Sequence, residues 1–235
     1  MGSKRYGQAA AKVDRNTAYP LDRAVTLLKE LPPAKFNEAV SLSVSLNIDP
    51  KKTDQLVRGT VTLPHGTGKT RRVVVFCKGE KETQAREAGA DVIGAADLIK
   101  KIEDGWLDFD VAVATPDMMR DVSKLGKILG PRGLMPNPKA GSVTDDVAKA
   151  VKDLKQGKVE FKMDKLSNIH FVIGRLSFEP KQLLENGQVA MDAVVRARPS
   201  ALKGRMIRRL VLSSTMSPGI PLKTEGLETN MEQEA

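Results

Sequence analysis

The amino-acid sequence predicts an α+β domain built from both ends of the chain and interrupted by an inserted α/β domain of doubly wound, Rossmann-like type, the two joined by a two-stranded hinge. Two observations predict it. Residues 36–63 and 158–214 contain stretches that alternate apolar and polar side chains, the mark of strands buried on one face. Between them, short β-branched runs alternate with helical segments, as parallel strands joined by crossover helices require. The expected domains are 1–66 with 158–222, and 67–157, followed by an acidic, disordered tail over 223–235.

Leu21, Ala24, Val25, Leu28 and Leu31 recur at helical spacing, and Pro32-Pro33 ends that helix. From Phe36 to Ile48 the chain alternates: Val40, Leu42, Val44, Leu46 and Ile48 share one face, and Ser41, Ser43, Ser45 and Asn47 the other. Val61 and Leu63 alternate with Thr60 and Thr62 in a second strand that stops at Pro64. The grammar then changes. "RRVVVFCK" precedes a polar helix over 82–87, "ADVIG" precedes "AADLIKKIEDG", and "FDVAVA" precedes "PDMMRDVSKLGKIL", where Pro116 suits a helix start. The last inserted helix is expected to have Thr144 as N-cap, Asp145 and Asp146 at its positive end, and Val147, Ala150, Val151 and Leu154 as its apolar stripe. After Gly157 alternation returns with Val159, Phe161 and Met163; "NIHFVIGRLSF" is the next strand, Pro180 opens a helix, and "MIRRLVLSS" is the expected last strand.

"LPHGTGKTRRVVVF" raises the question of a nucleotide site, because Gly68, Lys69 and Thr70 match the end of a phosphate-binding loop. Leu63 stands where the first glycine belongs, and a strand follows where a helix is needed. The segment reads better as hinge, with Gly66, Gly68 and Lys69 on one crossing and Gly157 on the other. Lys69 could equally serve a phosphate.

Lys plus Arg outnumber Asp plus Glu by 38 to 29, a net charge of +9 that suits a polyanionic partner or simply solubility. The single cysteine, Cys77, excludes an internal disulfide and a cysteine zinc cluster, and fits a buried small side chain in a reducing compartment. His65 and His170 are the only histidines, so metal and histidine-based catalysis find little support. No apolar stretch reaches membrane-spanning length and the N-terminus lacks a secretory signal, so the expected location is cytoplasmic, with no cofactor and no metal.

"KFNEAV", "NIDPKKTDQLVRGTVTLPHGTGK", "GWLDFDVAVATPDMM", "KLGKILGPRGLMPNPKAGSV", "VEFKMDKLSNIHFVIG" and "TMSP" together resemble the bacterial ribosomal protein L-one family, from about Lys4 to Pro218. The resemblance implies a large-subunit protein, monomeric when free, that binds the mobile rRNA stalk beside the tRNA exit site. It implies contact with exit-site tRNA and assistance to deacylated tRNA release, and repression of the protein's own operon mRNA. By matching motif it implies an rRNA site at Lys35, Phe36 and Glu38 with Ser214, Thr215 and Met216; Lys158, Asp164, Lys165 and His170 are secondary candidates. Ser217 stands where the family usually has glycine.

Such residues suit RNA: an aromatic face stacks on base or ribose, hydroxyls bond a 2′-OH, and lysines neutralise phosphate. Periodicity alone favours a plainer reading of Phe36 as core, since it shares parity with Val40 and Leu42, and Met216 could plug a gap. The loop 130–142, with Lys124, Lys127, Arg132 and Lys139 in and before it, is either a second-domain RNA contact or a rigid surface loop. Arg196, Arg198, Lys203, Arg205, Arg208 and Arg209 form a further basic cluster, for which a solvated face is the usual explanation. The rivals are a nucleotide-using enzyme and a general basic RNA chaperone.

Overall fold

The structure is a computed structural model; it describes residues 3–138, 141–199, 202 and 204–224. The chain divides into two compact units, Met1–Gly68 with Val159–Ala235, and Lys69–Lys158. In chain order the first unit begins with helices α1 (Lys4–Lys12) and α2 (Leu21–Glu30) and strands β1 (Ala39–Leu46) and β2 (Arg58–Thr62). The inserted unit holds β3 (Val73–Phe76), α3 (Glu80–Glu87), β4 (Val92–Gly94), α4 (Ala96–Glu103) and β5 (Val111–Ala114). It continues through short helical turns, α5 (Met119–Val122) and α6 (Gly126–Leu129), to α7 (Val147–Gln156). The chain returns through β6 (Lys158–Lys162), β7 (Asn168–Arg175), α8 (Pro180–Arg196), β8 (Ile207–Ser214) and β9 (Ile220–Leu222).

In the first unit, β7, β1, β8 and β9 form a sheet in that order, antiparallel throughout. Strict alternation in β1 sends Val40, Leu42, Val44 and Leu46 into a core shared with Leu28 of α2 and Leu183 and Val194 of α8. The opposite face carries Ser41, Ser43 and Ser45. β2 and β6 pair separately, and Phe161 of β6 packs its ring 5.9 Å from that of Phe171 in β7.

In the inserted unit β3 lies between β4 and β5, all parallel. All of β3 is buried, as a strand covered on both faces must be. Val74 and Phe76 meet α4 and the short helices through Leu98, Ile102, Val122 and Leu125. Val73 and Val75 meet Ala85 of α3 and Val147, Val151 and Leu154 of α7.

Several elements differ from expectation. The first long strand starts at Ala39, leaving Phe36 outside it. Helix α1 is not among the expected elements; the one side chain it buries within Lys4–Lys12 is the small Ala9, which marks a core face less plainly than the leucines of α2. β9, not β8, is the last strand among the described residues; its short segment contains a proline, which an edge position tolerates. The segment after Pro116 is a broken series of 3₁₀ and α turns. The cap of α7 is Asp146, which accepts the Lys149 N–H at 3.1 Å, whereas Thr144 accepts the Asp146 N–H one step earlier.

Candidate nucleic-acid interface

Lys35, Phe36, Glu38, Ser214, Thr215 and Met216 meet at one end of the four-stranded sheet, because β1 begins where β8 ends: Val40 pairs with Ser214. Backbone bonds extend the seam. The Thr215 N–H donates to the Ala39 carbonyl at 3.1 Å, and the Ala39 N–H donates to the Thr215 hydroxyl at 3.1 Å. The Thr215 hydroxyl therefore closes the head of β1.

Glu38 organises the whole end. It is 1% exposed. One carboxylate oxygen accepts the Ala34 N–H at 2.7 Å; the other accepts the Ser214 hydroxyl at 2.6 Å and the Met216 N–H at 2.9 Å. Burial alone would raise its pKa, but these bonds and the Arg5 charge outweigh burial and hold it below the ordinary carboxylate value. Glu38 and Ser214 were expected at the RNA surface. Both are buried, and their oxygens bond each other and the segments they fasten.

Phe36 is 54% exposed and Met216 49%, among the few large apolar side chains left in solvent. Phe36 precedes the strand, so the alternation that would have buried it does not apply there. Two exposed apolar groups beside a rigid, hydrogen-bonded turn, with exposed Lys35 next to Phe36, make a surface suited to a base or ribose with a phosphate nearby. Ser217 tightens the turn: its hydroxyl accepts the Ser214 N–H at 2.8 Å and donates to the Pro218 carbonyl at 3.0 Å.

The secondary candidates lie elsewhere. Ser45 of β1 pairs with Asn168 and the Leu46 N–H bonds Ser167, so the Asp164–Ser167 turn sits at the far end of β1, about 24 Å from the platform at ~3.4 Å per residue. Asp164 accepts the Asn168 N–H at 2.7 Å and the Leu166 N–H at 2.8 Å, which holds its pKa down and shapes the turn. Lys165 is exposed on that turn. His170 stands between the two ends, its Nδ1 2.9 Å from the Ser43 hydroxyl on the uncovered sheet face. Arg209, opposite Ser45, is exposed at the far end. Lys158 belongs to the other unit, where its ammonium lies against Gly141.

The expected hinge residues have distinct local roles. Gly66 and Gly68 have φ of 64° and 71°, in the left-handed region that favours glycine. A Cβ on Gly68 would also come within 2.8 Å of the Arg175 side chain. Gly157, φ 107°, is the left-handed cap that ends α7. Lys69 bonds Asp110 at 2.6 Å, lowering that carboxyl's pKa, and no helix follows it, so the phosphate-loop geometry is missing.

In the second unit, Lys124 pairs with Asp121 at 3.1 Å, and Lys127 and Arg132 are exposed; Lys139 lies outside the described residues. The loop is anchored where the Ala114 N–H bonds the Ser142 carbonyl and the Ser142 hydroxyl accepts the Asn137 N–H, at 2.9 Å each. In the basic cluster Arg198 is engaged with the Gly204 carbonyl, and Lys203 lies outside the described residues, as does the tail from residue 225. Cys77 is buried at the end of β3, and burial raises its thiol. Among the described residues no helix is long and apolar enough to cross a membrane.

Sequence reasoning missed two residues. Arg5 of α1 reaches Met216, 211 positions away. Asn186, fully buried in α8, donates to the Gly66 carbonyl at 2.9 Å and the Ile173 carbonyl at 2.7 Å, and accepts the His65 N–H at 3.1 Å. A polar residue on a buried helix stripe was the available signal for Asn186; for Arg5 there was none.

The model of the ribosomal protein L1p/L10e family matches residues 28–218. Relatives called large ribosomal subunit protein uL1 cover nearly the whole chain. That of Thermobifida fusca is 56% identical over 220 residues, 94% of this chain and 94% of its own length. That of Bifidobacterium adolescentis is 54% identical over 220 residues, 94% and 96% respectively. That of Nocardia farcinica is 52% identical over 233 residues, 99% and 98%.

Proposed function

Because the chain belongs to the ribosomal protein L1p/L10e family, we propose that it is a structural, non-enzymatic constituent of the large ribosomal subunit that grips the mobile rRNA stalk beside the tRNA exit site. The observation that carries the assignment of the grip is the pair of exposed side chains, Phe36 and Met216, held on adjoining segments by one buried carboxylate, Glu38. Phe36 stacks on ribose or base, Met216 fills the adjoining gap, and Lys35 neutralises phosphate. The serine face of β1, with His170 and Arg209, extends the footprint toward Asp164 and Lys165. The net charge of +9 supplies salt-sensitive affinity, and the platform's shape supplies selectivity.

The two units act as domains joined by a hinge at Gly66–Lys69 and Gly157–Lys158. The second domain, through Lys124, Lys127, Arg132 and Lys139, faces exit-site tRNA and assists its release after deacylation. The same platform represses the protein's own operon mRNA by accepting a copy of the rRNA site.

The test is binding of the full chain to an rRNA-stalk fragment against a scrambled competitor. Phe36→Ala and Met216→Ala each weaken specific binding about tenfold, equivalent to ~1.4 kcal/mol. Both side chains are exposed, so folding is retained. Thr215→Val is a less clean probe, since it also removes the acceptor for the Ala39 N–H. Unchanged affinity in both alanine variants rejects the site. Equal competition by scrambled RNA favours a general RNA chaperone.

A further inference from the structure

We propose that Arg5 is a positioning residue of this platform: its guanidinium sets the Thr215–Met216 turn against residues 32–38 and does not itself hold phosphate. The inference rests on the RNA-binding reading above. Arg5 lies in the first turn of α1, and an arginine near the start of a basic chain would ordinarily be counted as a phosphate contact. Its geometry is otherwise. Nη1 donates to the Pro32 carbonyl at 3.1 Å, Nη2 donates to the Met216 carbonyl at 3.2 Å, and Nη1 stands 3.7 Å from the buried carboxylate of Glu38. The side chain is only 27% exposed.

Met216 is therefore gripped through the two peptide groups that flank its Cα. Its N–H goes to Glu38 and its carbonyl to Arg5, which leaves the thioether free to project. The planar fork of a guanidinium serves two carbonyls and a carboxylate together, which the single ammonium of lysine does not reproduce. A carboxylate as buried as Glu38 also needs a cation at hand, and Arg5 supplies it. Helix α1 buries Ala9 and its C-cap residue Val13, and the Lys12 ammonium donates to the Glu30 carbonyl at 3.2 Å. Arg5 thus contributes both to the docking of α1 and to the shape of the RNA-facing turn.

Arg5→Lys and Arg5→Gln in the full chain decide the matter. Both are expected to lose about fivefold or more in affinity for the stalk fragment, because a loosened turn must be ordered on binding. The dependence of log K on log salt keeps its slope. A phosphate contact predicts the reverse: lysine retains affinity, and glutamine lowers the slope by about 0.7 to 0.9. Amide exchange of the free protein supplies the independent measurement. The Thr215 and Met216 amides should exchange about tenfold faster in both variants, with the central β1 amides unchanged. Unaltered exchange at Met216, or rescue by lysine, overturns the proposal. If the wild-type chain does not prefer the stalk fragment, the RNA reading falls, while the exchange result still judges Arg5.

Discussion

Replacing Glu38 by glutamine tests how the platform is built. The substitution keeps shape and removes one acceptor atom and the charge. If the amide nitrogen takes the place facing Ala34, it opposes a backbone donor and Arg5; if it takes the other, it opposes the Met216 N–H. Either way a backbone N–H is left facing a donor, which costs about 1–3 kcal/mol. The surviving bonds lose their charge assistance, while burying a neutral group returns part of that loss. The expected net destabilisation is roughly 2–3 kcal/mol near neutral pH. Urea unfolding followed by circular dichroism measures it; the only tryptophan, Trp106, lies in the other unit.

The pH dependence follows from the depressed carboxyl. In the unfolded chain a glutamate titrates near ~4.3, and the folded value is lower. The wild-type advantage is therefore complete above the unfolded value and is lost as pH falls through the folded one. The gap between wild type and Glu38→Gln narrows on acidification. A gap under about 0.5 kcal/mol at neutral pH, or one that widens in acid, refutes the account.

Asn186→Ala strands the Gly66 and Ile173 carbonyls and the His65 N–H, with an expected loss of about 3 kcal/mol and faster amide exchange at His65; a loss under about 1 kcal/mol in the same urea titration would contradict it. Ser217→Gly removes the acceptor for the Ser214 N–H and is expected to destabilise by about 1 kcal/mol, read from the unfolding midpoint. No change there would mean that the serine hydroxyl contributes nothing to the turn.

Alternation in β1 and the strand–helix grammar from Val73 to Gln156 were legible because burial imposes a period on the chain: two for a strand with one wet face, and near-continuous apolar runs for a strand covered on both. The motifs around Phe36 and Met216 were visible only by family resemblance. Their residue types fitted a core position and a gap-filler equally well.

The local order of side chains determined β1, the alternating strands and helices from Val73 to Gln156 and the basic character, since each depends on neighbours within a few residues or on total charge; α1 and β9 left no such mark. Tertiary structure alone decided that Phe36 is exposed, that Glu38 and Ser214 face inward, that Asp164 and Lys165 stand at the far end of β1, and that Arg5 closes on Met216. Those outcomes depend on strand register and on contacts between residues up to 211 positions apart, which no local period encodes.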